Sequence, residues 1–216
     1  MTTADEQSTG RKYEMRRRAD TMGETRSRIT GAAIELHGTI GPARTTIAGI
    51  ASLAGVQRHT VYRHFPTEED LFSACSTEYW QRNPWPDLTR WQEIPSPNER
   101  AVGALGDLYR FYDAVEGMLT NVLRDGDHIP GIRPSVDSYE EKIDAITQVL
   151  VAGYSPAPAA RPTLTAAVRH AAAFSTWQSL VRANGLEVGT AAALMAALLQ
   201  TAAQPLDGLR AGAVRG

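Results

Sequence analysis

The sequence predicts an all-α fold, with a short N-terminal helical unit followed by a longer helical bundle. Apolar residues recur at helical spacing along almost the whole chain, and no useful stretch shows the alternation of a β-strand. Apolar residues make up 43% of the 216 residues, which is enough to form a core. Gly41-Pro42 and the Pro-rich stretch between Asn83 and Pro97 divide the periodic segments.

The front of the chain is predicted to hold three helices within residues 21–66. Residues 1–20 are polar and highly charged, so we expect a flexible basic arm there. A first helix is expected over Thr21–His37, where apolar positions recur at four and three residues. Thr45 is a good N-cap for the second helix, because its hydroxyl can accept a hydrogen bond from a first-turn N–H. A third, short helix follows, and Pro66 ends the unit.

The remaining part, residues 67–210, is predicted to form the bundle. Asn83–Pro97 is expected to be a loop, in which Trp85 and Trp91 are placed to close over a cavity. The predicted helices cover Glu68–Gln81, Pro97–Tyr112, Ala114–Arg124, Pro134–Gly153, Pro162–Asn184 and Glu187–Leu206.

Charge is distributed unevenly along the chain, although the formal net charge is only −2. Residues 11–64 carry ten Arg or Lys against four Asp or Glu, a net charge of +6, whereas residues 65–216 have a net charge of −6. A basic front and an acidic back indicate that only the front meets a polyanion. Chance unevenness of a solvated surface gives the same pattern.

Two features bear on the cellular setting. The longest apolar run, Ala191–Leu199, is far shorter than the roughly 20 residues needed to cross a bilayer, and the polar N-terminus shows no signal-peptide pattern. Cys75 is the only cysteine, which excludes an internal disulfide and a cysteine-based metal site. We therefore expect a cytoplasmic protein with no membrane partner, in which Cys75 is buried on the fourth helix.

The segment Thr45–Phe65, TTIAGIASLAGVQRHTVYRHF, is the most informative part of the chain. Ala51 suits a close crossing of two helices, and Gly55 can adopt the positive φ that a sharp turn needs. Val61 and Phe65 share the buried side of the following short helix. Two helices joined in this way form a helix-turn-helix, whose second helix enters the major groove of DNA.

The outward side of this segment supplies the candidate DNA contacts, because its donors and its flat ring suit phosphates and base edges. Tyr62 is interpreted as a contact because Val61 and Phe65 already fill the buried side. For His59 and His64, contact and plain surface exposure are equally compatible with the pattern. The candidate DNA-binding residues are Arg44, Thr45, Thr46, Arg58, His59, Thr60, Tyr62, Arg63 and His64.

The segment resembles the DNA-binding motif of the TetR family. The resemblance covers roughly residues 21–80, and residues 173–186 are similar to the family's eighth helix. It implies a homodimer that binds a double-stranded DNA operator and a repressor that a small-molecule effector releases. Thr46, Ile50, Ala51, Ala54, Gly55 and Val56 match the family's T-x-x-x-I-A-x-x-A-G-V start, and Tyr62 and Phe65 match its Y-x-x-F end.

Three positions depart from the family's pattern. Gln57 stands where Ser or Thr commonly caps the recognition helix, and His59 stands where Gly is frequent. Glu68 stands near the start of helix four, where the family usually has a Lys that touches a phosphate. Glu68 therefore puts one phosphate contact in doubt. Arg44 could compensate for it, and so could Arg16–Arg18, which fits either a minor-groove arm or a charged leader.

The bundle is predicted to sense a small apolar or aromatic ligand and to form the dimer. Its alanine-rich helices at 162–184 and 187–206 suit close pairing with a second subunit, or equally packing within the chain. The stripe of His170, Phe174 and Trp177 reads as core, but the resemblance places it at the border of a ligand cavity. The candidate ligand-binding residues are Tyr109, Tyr112, Met118, Asn121, His170, Phe174 and Trp177.

No enzyme motif stands out in the sequence, which has no phosphate-binding glycine loop, nucleophile elbow or His-Glu-x-x-His pair. Asp125, Asp127 and His128 are interpreted as a solvated loop, so we expect no catalytic residue, metal or cofactor. Two alternatives stay open: a helical ligand-binding or interaction module that has lost DNA binding, and an enzyme that uses the bundle cavity. The first predicts no salt-sensitive duplex binding, and the second predicts product formation from the bound ligand.

Overall fold

The computed structural model describes the backbone of residues 3–204 and the side chains of residues 20–204. Every regular element in that range is helical, so the predicted all-α fold is confirmed. None of these helices is both long enough and apolar enough to span a bilayer. The α-helices are α1 (Thr3–Thr39), α2 (Ile47–Ala54), α3 (Arg58–His64), α4 (Glu68–Arg82), α5 (Leu88–Gln92), α6 (Pro97–Asp125), α7 (Arg133–Tyr154), α8 (Arg161–Ala172), α9 (Phe174–Trp177) and α10 (Val188–Ala202).

The described chain divides into two compact units. The N-terminal unit comprises the chain up to Arg82 together with Gly117–Arg133, and the second unit comprises Asn83–Glu116 and the chain from Pro134 onward. Helix α6 therefore contributes to both units. The functional division that we predicted near residue 66 falls inside the first unit.

The core of the N-terminal unit joins α1 to the helices that follow it. Helix α6 passes close to α1 at Gly117, where an added Cβ would lie 2.7 Å from the carbonyl oxygen of Gly38. The burial of Cys75 was predicted and is confirmed. The buried apolar side chains include Ile29 and Ala33 of α1, Ile50 and Ala51 of α2, Val61 and Phe65 of the α3 region, and Leu71 and Cys75 of α4.

Several predicted helix bounds are wrong. Helix α1 begins at Thr3 rather than near Thr21, so the expected flexible arm is helical from residue 3 onward, while the side chains of Arg16–Arg18 lie outside the described residues. The two helices expected at 97–112 and 114–124 are the single helix α6, because nothing between them stops the helical hydrogen bonding. The expected loop after Asn83 contains the short helix α5.

The helix expected over Pro162–Asn184 is broken near its middle. Ala173 has the extended backbone angles φ −66° and ψ 139°, and it separates α8 from α9. A π-helix, Gln178–Ala183, continues directly from α9. Short π-helical segments are rare and occur frequently at functional sites.

Candidate nucleic-acid interface and aromatic core

The predicted helix-turn-helix is formed by α2, a tight turn and α3. Thr46, rather than the expected Thr45, caps α2, since its hydroxyl oxygen accepts a hydrogen bond from the N–H of Gly49 at 3.0 Å. Gly55 ends α2 with φ +64°, the left-handed conformation expected for it. Val61 and Phe65 are buried against the core, as predicted, and they fix the inner side of α3.

The outer side of α3 presents polar side chains to solvent. Arg58, His59, Tyr62 and Arg63 are all exposed, with Tyr62 48% exposed. Thr60 is partly buried. This exposure agrees with the interpretation of Tyr62 as a surface group and not a core aromatic. Four neighbouring donors on one short helix form a surface that suits phosphate oxygens and base edges.

His64 lies at the end of α3 and is only partly exposed. Its Nε2 is buried and has no hydrogen-bond partner within the described part of the chain. Burial lowers the pKa of His64, and the neighbouring guanidinium groups of Arg63 and Arg26 lower it further. His64 is therefore held as a neutral ring at the edge of the candidate interface, with one nitrogen turned away from solvent.

The three candidate residues before α2 have different surroundings. Arg44 is exposed at the end of the 3-10 turn Pro42–Arg44. The hydroxyl of Thr45 donates to the carbonyl oxygen of Gly41 at 2.9 Å, and the hydroxyl oxygen of Thr46 caps α2. Both threonine hydroxyls thus take part in local structure, whereas Arg44 is an exposed residue.

Arg26 of α1 is a site residue that sequence reasoning missed. Its guanidinium donates to the carbonyl oxygen of His64 at 2.8 Å and lies 4.1 Å from the centroid of the Phe65 ring. These contacts attach the C-terminal end of α3 to α1. The sequence shows that α1 is basic, but it does not show which residue Arg26 contacts, because Arg26 and His64 are far apart in sequence.

The start of α4 explains the acidic residue at position 68. The hydroxyl oxygen of Thr67 accepts from the N–H of Asp70, and the Asp70 carboxylate accepts from the N–H of Thr67 in return. Glu68, Glu69 and Asp70 occupy the first turn, where the helix dipole favours negative charge. Gln57, in contrast, makes no side-chain cap on α3, which agrees with its expected poor capping.

Asp125 corrects the interpretation of residues 125–128 as a solvated loop. Its side chain is buried, and its carboxylate accepts a hydrogen bond from the N–H of Ala43 at 2.9 Å. The Arg124 guanidinium, which also hydrogen bonds to it, lowers the pKa of the carboxyl group. Asp127 and His128 are exposed, as predicted. No cluster of three or more metal-ligating side chains occurs among the residues described.

Four of the predicted ligand residues form an aromatic core in the second unit. Tyr109, Tyr112, Phe174 and Trp177 are all buried. The ring centroid of Phe174 lies 5.2 Å from those of both Tyr112 and Trp177. The rings therefore pack against each other, which is the arrangement of a filled core.

Three tyrosine hydroxyls satisfy the backbone groups that the break at Ala173 exposes. Tyr109 donates to the carbonyl oxygen of Ala171 at 2.7 Å, and Tyr112 donates to that of Ala172 at 2.6 Å. The oxygen of Tyr139 accepts from the N–H of Phe174 at 3.0 Å. Tyr139 was absent from the predicted set, although its place on the buried side of α7 could have suggested it.

Trp177 combines full burial with an unpaired polar atom. Its indole Nε1 has no hydrogen-bond acceptor among the residues that the structure describes. The Arg182 guanidinium lies 4.9 Å from the Trp177 ring centroid and also pairs with Asp113 and Glu116. An indole N–H without an acceptor in an apolar core costs free energy unless another molecule supplies one.

The other predicted ligand residues lie elsewhere. His170 is exposed rather than part of the core. Met118 and Asn121 belong to the N-terminal unit, where the Asn121 side-chain amide donates to the carbonyl oxygen of His37 at 2.9 Å. Trp91 is buried and donates through its indole N–H to Asp107 at 3.0 Å, so it is a core residue and not part of a mobile cover.

Comparison with known proteins finds a family match in the region of the helix-turn-helix. Residues 29–75 match the model of "Bacterial regulatory proteins, tetR family", which confirms the resemblance seen in the sequence. A curated relative, the HTH-type transcriptional regulator TtgR of Pseudomonas putida, is 43% identical over 60 residues. That match covers 28% of this chain and 29% of the relative, so it spans less than a third of either protein.

Solved structures resemble the fold over most of the chain. A tetR-family transcriptional regulator from Streptomyces coelicolor has a TM-score of 0.60 at 19% identity, covering 88% of this chain and 86% of that protein. NalD of Pseudomonas aeruginosa, the secondary repressor of the MexAB-OprM multidrug efflux pump, has a TM-score of 0.56 at 19% identity, covering 83% and 96%. At these identities the likeness concerns the fold alone.

Proposed function

We propose that this chain, whose residues 29–75 match the model of the tetR family of bacterial regulatory proteins, is a cytoplasmic, sequence-specific DNA-binding repressor. The single observation that carries the proposal is the row of exposed donors on α3, held outward by buried Val61 and Phe65. In this arrangement α3 enters the major groove of the operator. Arg44, at the end of the 3-10 turn before α2, is a candidate phosphate contact.

The acidic first turn of α4 limits where the phosphates lie. Glu68, Glu69 and Asp70 are all exposed, so they oppose a phosphate at this helix end. We therefore assign the phosphate contacts to Arg44, Arg63 and the hydroxyl of Tyr62, and base reading to Arg58, which stands in the first turn of α3. Loss of a base-reading arginine costs about 1–3 kcal/mol of discrimination.

The DNA-binding test compares Arg58→Ala with Arg90→Ala, a matched control that removes an exposed arginine from α5 in the second unit. DNA fragments selected from the organism's own genome by the purified protein supply the operator. Arg58→Ala should weaken operator binding more than binding to random duplex, and Arg90→Ala should leave both unchanged. Absence of duplex binding by the unaltered protein at low salt contradicts the proposal.

The proposed effector is a small apolar or aromatic molecule that binds the aromatic core and favours release of DNA. The polar group that orients it is the Trp177 indole N–H, in place of the exposed His170. Since the rings around it already pack closely, binding requires the core to open. The break at Ala173 and the following π-helix supply a segment whose backbone can shift.

The effector test screens uncharged aromatic compounds that carry a hydrogen-bond acceptor, with tryptophan fluorescence and thermal shift as readouts. Hits should release operator DNA, and Trp177→Phe should weaken their binding while leaving ligand-free operator affinity intact. To move operator occupancy from 99% to 1%, a ligand must favour the released state by about 5.5 kcal/mol. Tight hits that leave operator affinity unchanged contradict the repressor mechanism.

We also propose that the chain forms a homodimer through α10. The alanines Ala191, Ala192 and Ala196 are buried within the chain, so they are unavailable to a second subunit. The opposite side of α10 exposes an apolar stripe of Ala193, Leu194, Ala197 and Leu198, with Leu194 44% and Leu198 52% exposed. A second copy covers this stripe through a two-fold interface, in which small alanines allow close helix packing.

Sedimentation measures this assembly directly. The unaltered protein should sediment at micromolar concentration as a species of twice 23.4 kDa. Leu198→Glu should shift it toward the monomer, whereas Met22→Glu, which changes another exposed apolar side chain in α1, should not. A strict monomer for the unaltered protein contradicts the dimer.

A further inference from the structure

A partly open pocket is lined entirely by residues of the N-terminal unit. This His37 pocket has a volume of about 200 Å³ and lies between α1, the 3-10 turn before α2, and helices α2 and α4. Its walls are mainly apolar and include Ile47, Ile50, Leu71 and Phe72. For comparison, an apolar cavity of about 150 Å³ accommodates benzene. The His37 pocket is therefore large enough for one substituted six-membered ring.

His37 is the buried polar group of this pocket. The residue is only 5% exposed, and its imidazole stacks on the Phe72 ring with centroids 5.1 Å apart. The imidazole makes no hydrogen bond within the described residues, and its nitrogens are not among the fully buried unpaired atoms, so they remain in contact with solvent. The backbone carbonyl oxygen of His37 accepts a hydrogen bond from the Asn121 side chain. Burial lowers the pKa of the imidazole to about 4, so the ring is neutral near pH 7 and offers one donor and one acceptor.

The rim of the pocket selects against anions. Glu68 lines the pocket and is exposed, which gives a ligand access from solvent past a negative charge. The buried carboxylate of Asp125 lies directly behind the wall, hydrogen bonded to the N–H of the lining residue Ala43. The Asp125 charge is compensated by its ion pair with Arg124, so it is Glu68 that repels a carboxylated ring and not an uncharged one.

We propose that the His37 pocket binds a small uncharged hydroxylated aromatic molecule, stacked among the apolar walls and hydrogen bonded through its hydroxyl to the His37 imidazole. The ligand supplies the partner that His37 lacks within the protein. It touches Ile47 and Ile50, which are residues of the DNA-binding motif. Binding itself is independent of the aromatic core and of the proposed function, since it is measured on the free protein without DNA.

Phenol is the probe, with toluene and benzoate as ring-matched comparisons. The readout is the ¹⁵N chemical shift of the His37 ring in histidine-labelled protein, assigned by its absence in His37→Phe. Phenol should shift this signal and bind about tenfold more tightly than toluene, because only phenol can hydrogen bond to the imidazole. Benzoate should bind at least tenfold more weakly than phenol.

Substitutions at two exposed alanines test whether phenol binds in the His37 pocket. Ala43→Phe places a ring in the mouth of the pocket and keeps the backbone N–H that Asp125 accepts, so phenol affinity should fall at least tenfold. Ala48→Phe adds the same ring to α2 away from the pocket lining and should leave phenol affinity unchanged. Equal phenol affinity in all three proteins, or a His37 signal that phenol does not shift, overturns the proposal.

Discussion

The Arg26 guanidinium donates a hydrogen bond to the backbone carbonyl oxygen of His64 at 2.8 Å, joining two positions 38 residues apart. The carbonyl groups in the last turn of a helix have no partner within the helix, so this contact supplies one at the end of α3. The same guanidinium lies over the Phe65 ring. Arg26 therefore fixes the C-terminal end of α3.

Replacing Arg26 by Ala should weaken α3 before it affects the rest of the fold. Loss of an exposed hydrogen bond and a cation–π contact should lower the free energy of unfolding by about 1 kcal/mol. DNA affinity should fall alike for operator and random duplex, because the helix is positioned less well and no base contact is removed. Urea denaturation and DNA titration measure the two effects.

Arg28→Ala is the matched control for Arg26→Ala, since it removes the same charge from the exposed side of α1 without a hydrogen bond to α3. If both variants lose the same DNA affinity, the effect of Arg26 is one of charge and its positioning role is wrong.

Gly55 and Gly23 should respond to alanine with opposite signs. At Gly55 an added Cβ has room, with Arg28 Nη1 the nearest atom at 3.8 Å, but φ is +64°. The left-handed conformation costs an L-residue about 1–2 kcal/mol, so Gly55→Ala should lower the free energy of unfolding by that amount. Gly23 is helical with nothing within 4 Å, so Gly23→Ala should raise it by up to about 1 kcal/mol. Urea midpoints that move in the same direction for both contradict this account.

The helix-turn-helix could be predicted because its determinants are local. The positions of Gly55, Val61 and Phe65 each fix a nearby backbone angle or a buried face, and the structure places them as expected. The contacts that were missed join distant positions. Asp125 and Ala43 are 82 residues apart, and no pattern near either residue reveals that a buried carboxylate accepts a backbone N–H.

The break at Ala173 could not be predicted for a related reason. The run Ala171–Ala172–Ala173 is made of the strongest helix former and contains no glycine or proline. The interruption is stabilised by Tyr109 and Tyr112, whose hydroxyls take up the carbonyl oxygens from about 60 residues away, at separations of 62 and 60. Local propensity is overridden here by buried hydrogen bonds.

Removing one of these hydroxyls should therefore be costly. Tyr112→Phe leaves the buried carbonyl oxygen of Ala172 without its partner, which should lower the free energy of unfolding by about 1–3 kcal/mol. Tyr154→Phe is the control, because the buried Tyr154 hydroxyl has no partner among the described residues and its loss should be neutral or stabilising. Equal losses in the two variants indicate that the Ala173 break does not depend on the tyrosine hydroxyl.

His37 should make stability depend on pH in the acid range. Burial lowers its pKa from 6.5 to about 4, so between these values the unfolded chain binds a proton that the folded protein does not. His37 therefore does not reduce the free energy of unfolding well above pH 6.5. As the pH falls toward 4, protonation of His37 in the unfolded chain lowers the free energy of unfolding, by about 2 kcal/mol between pH 7.5 and pH 5. His37→Phe keeps the ring stacked on Phe72 but cannot titrate. Its urea-derived free energy of unfolding should fall by about 2 kcal/mol less than that of the unaltered protein over the same interval. The other histidines titrate in both proteins and cancel in this comparison, so parallel pH profiles show that His37 does not lie in a buried, neutral state.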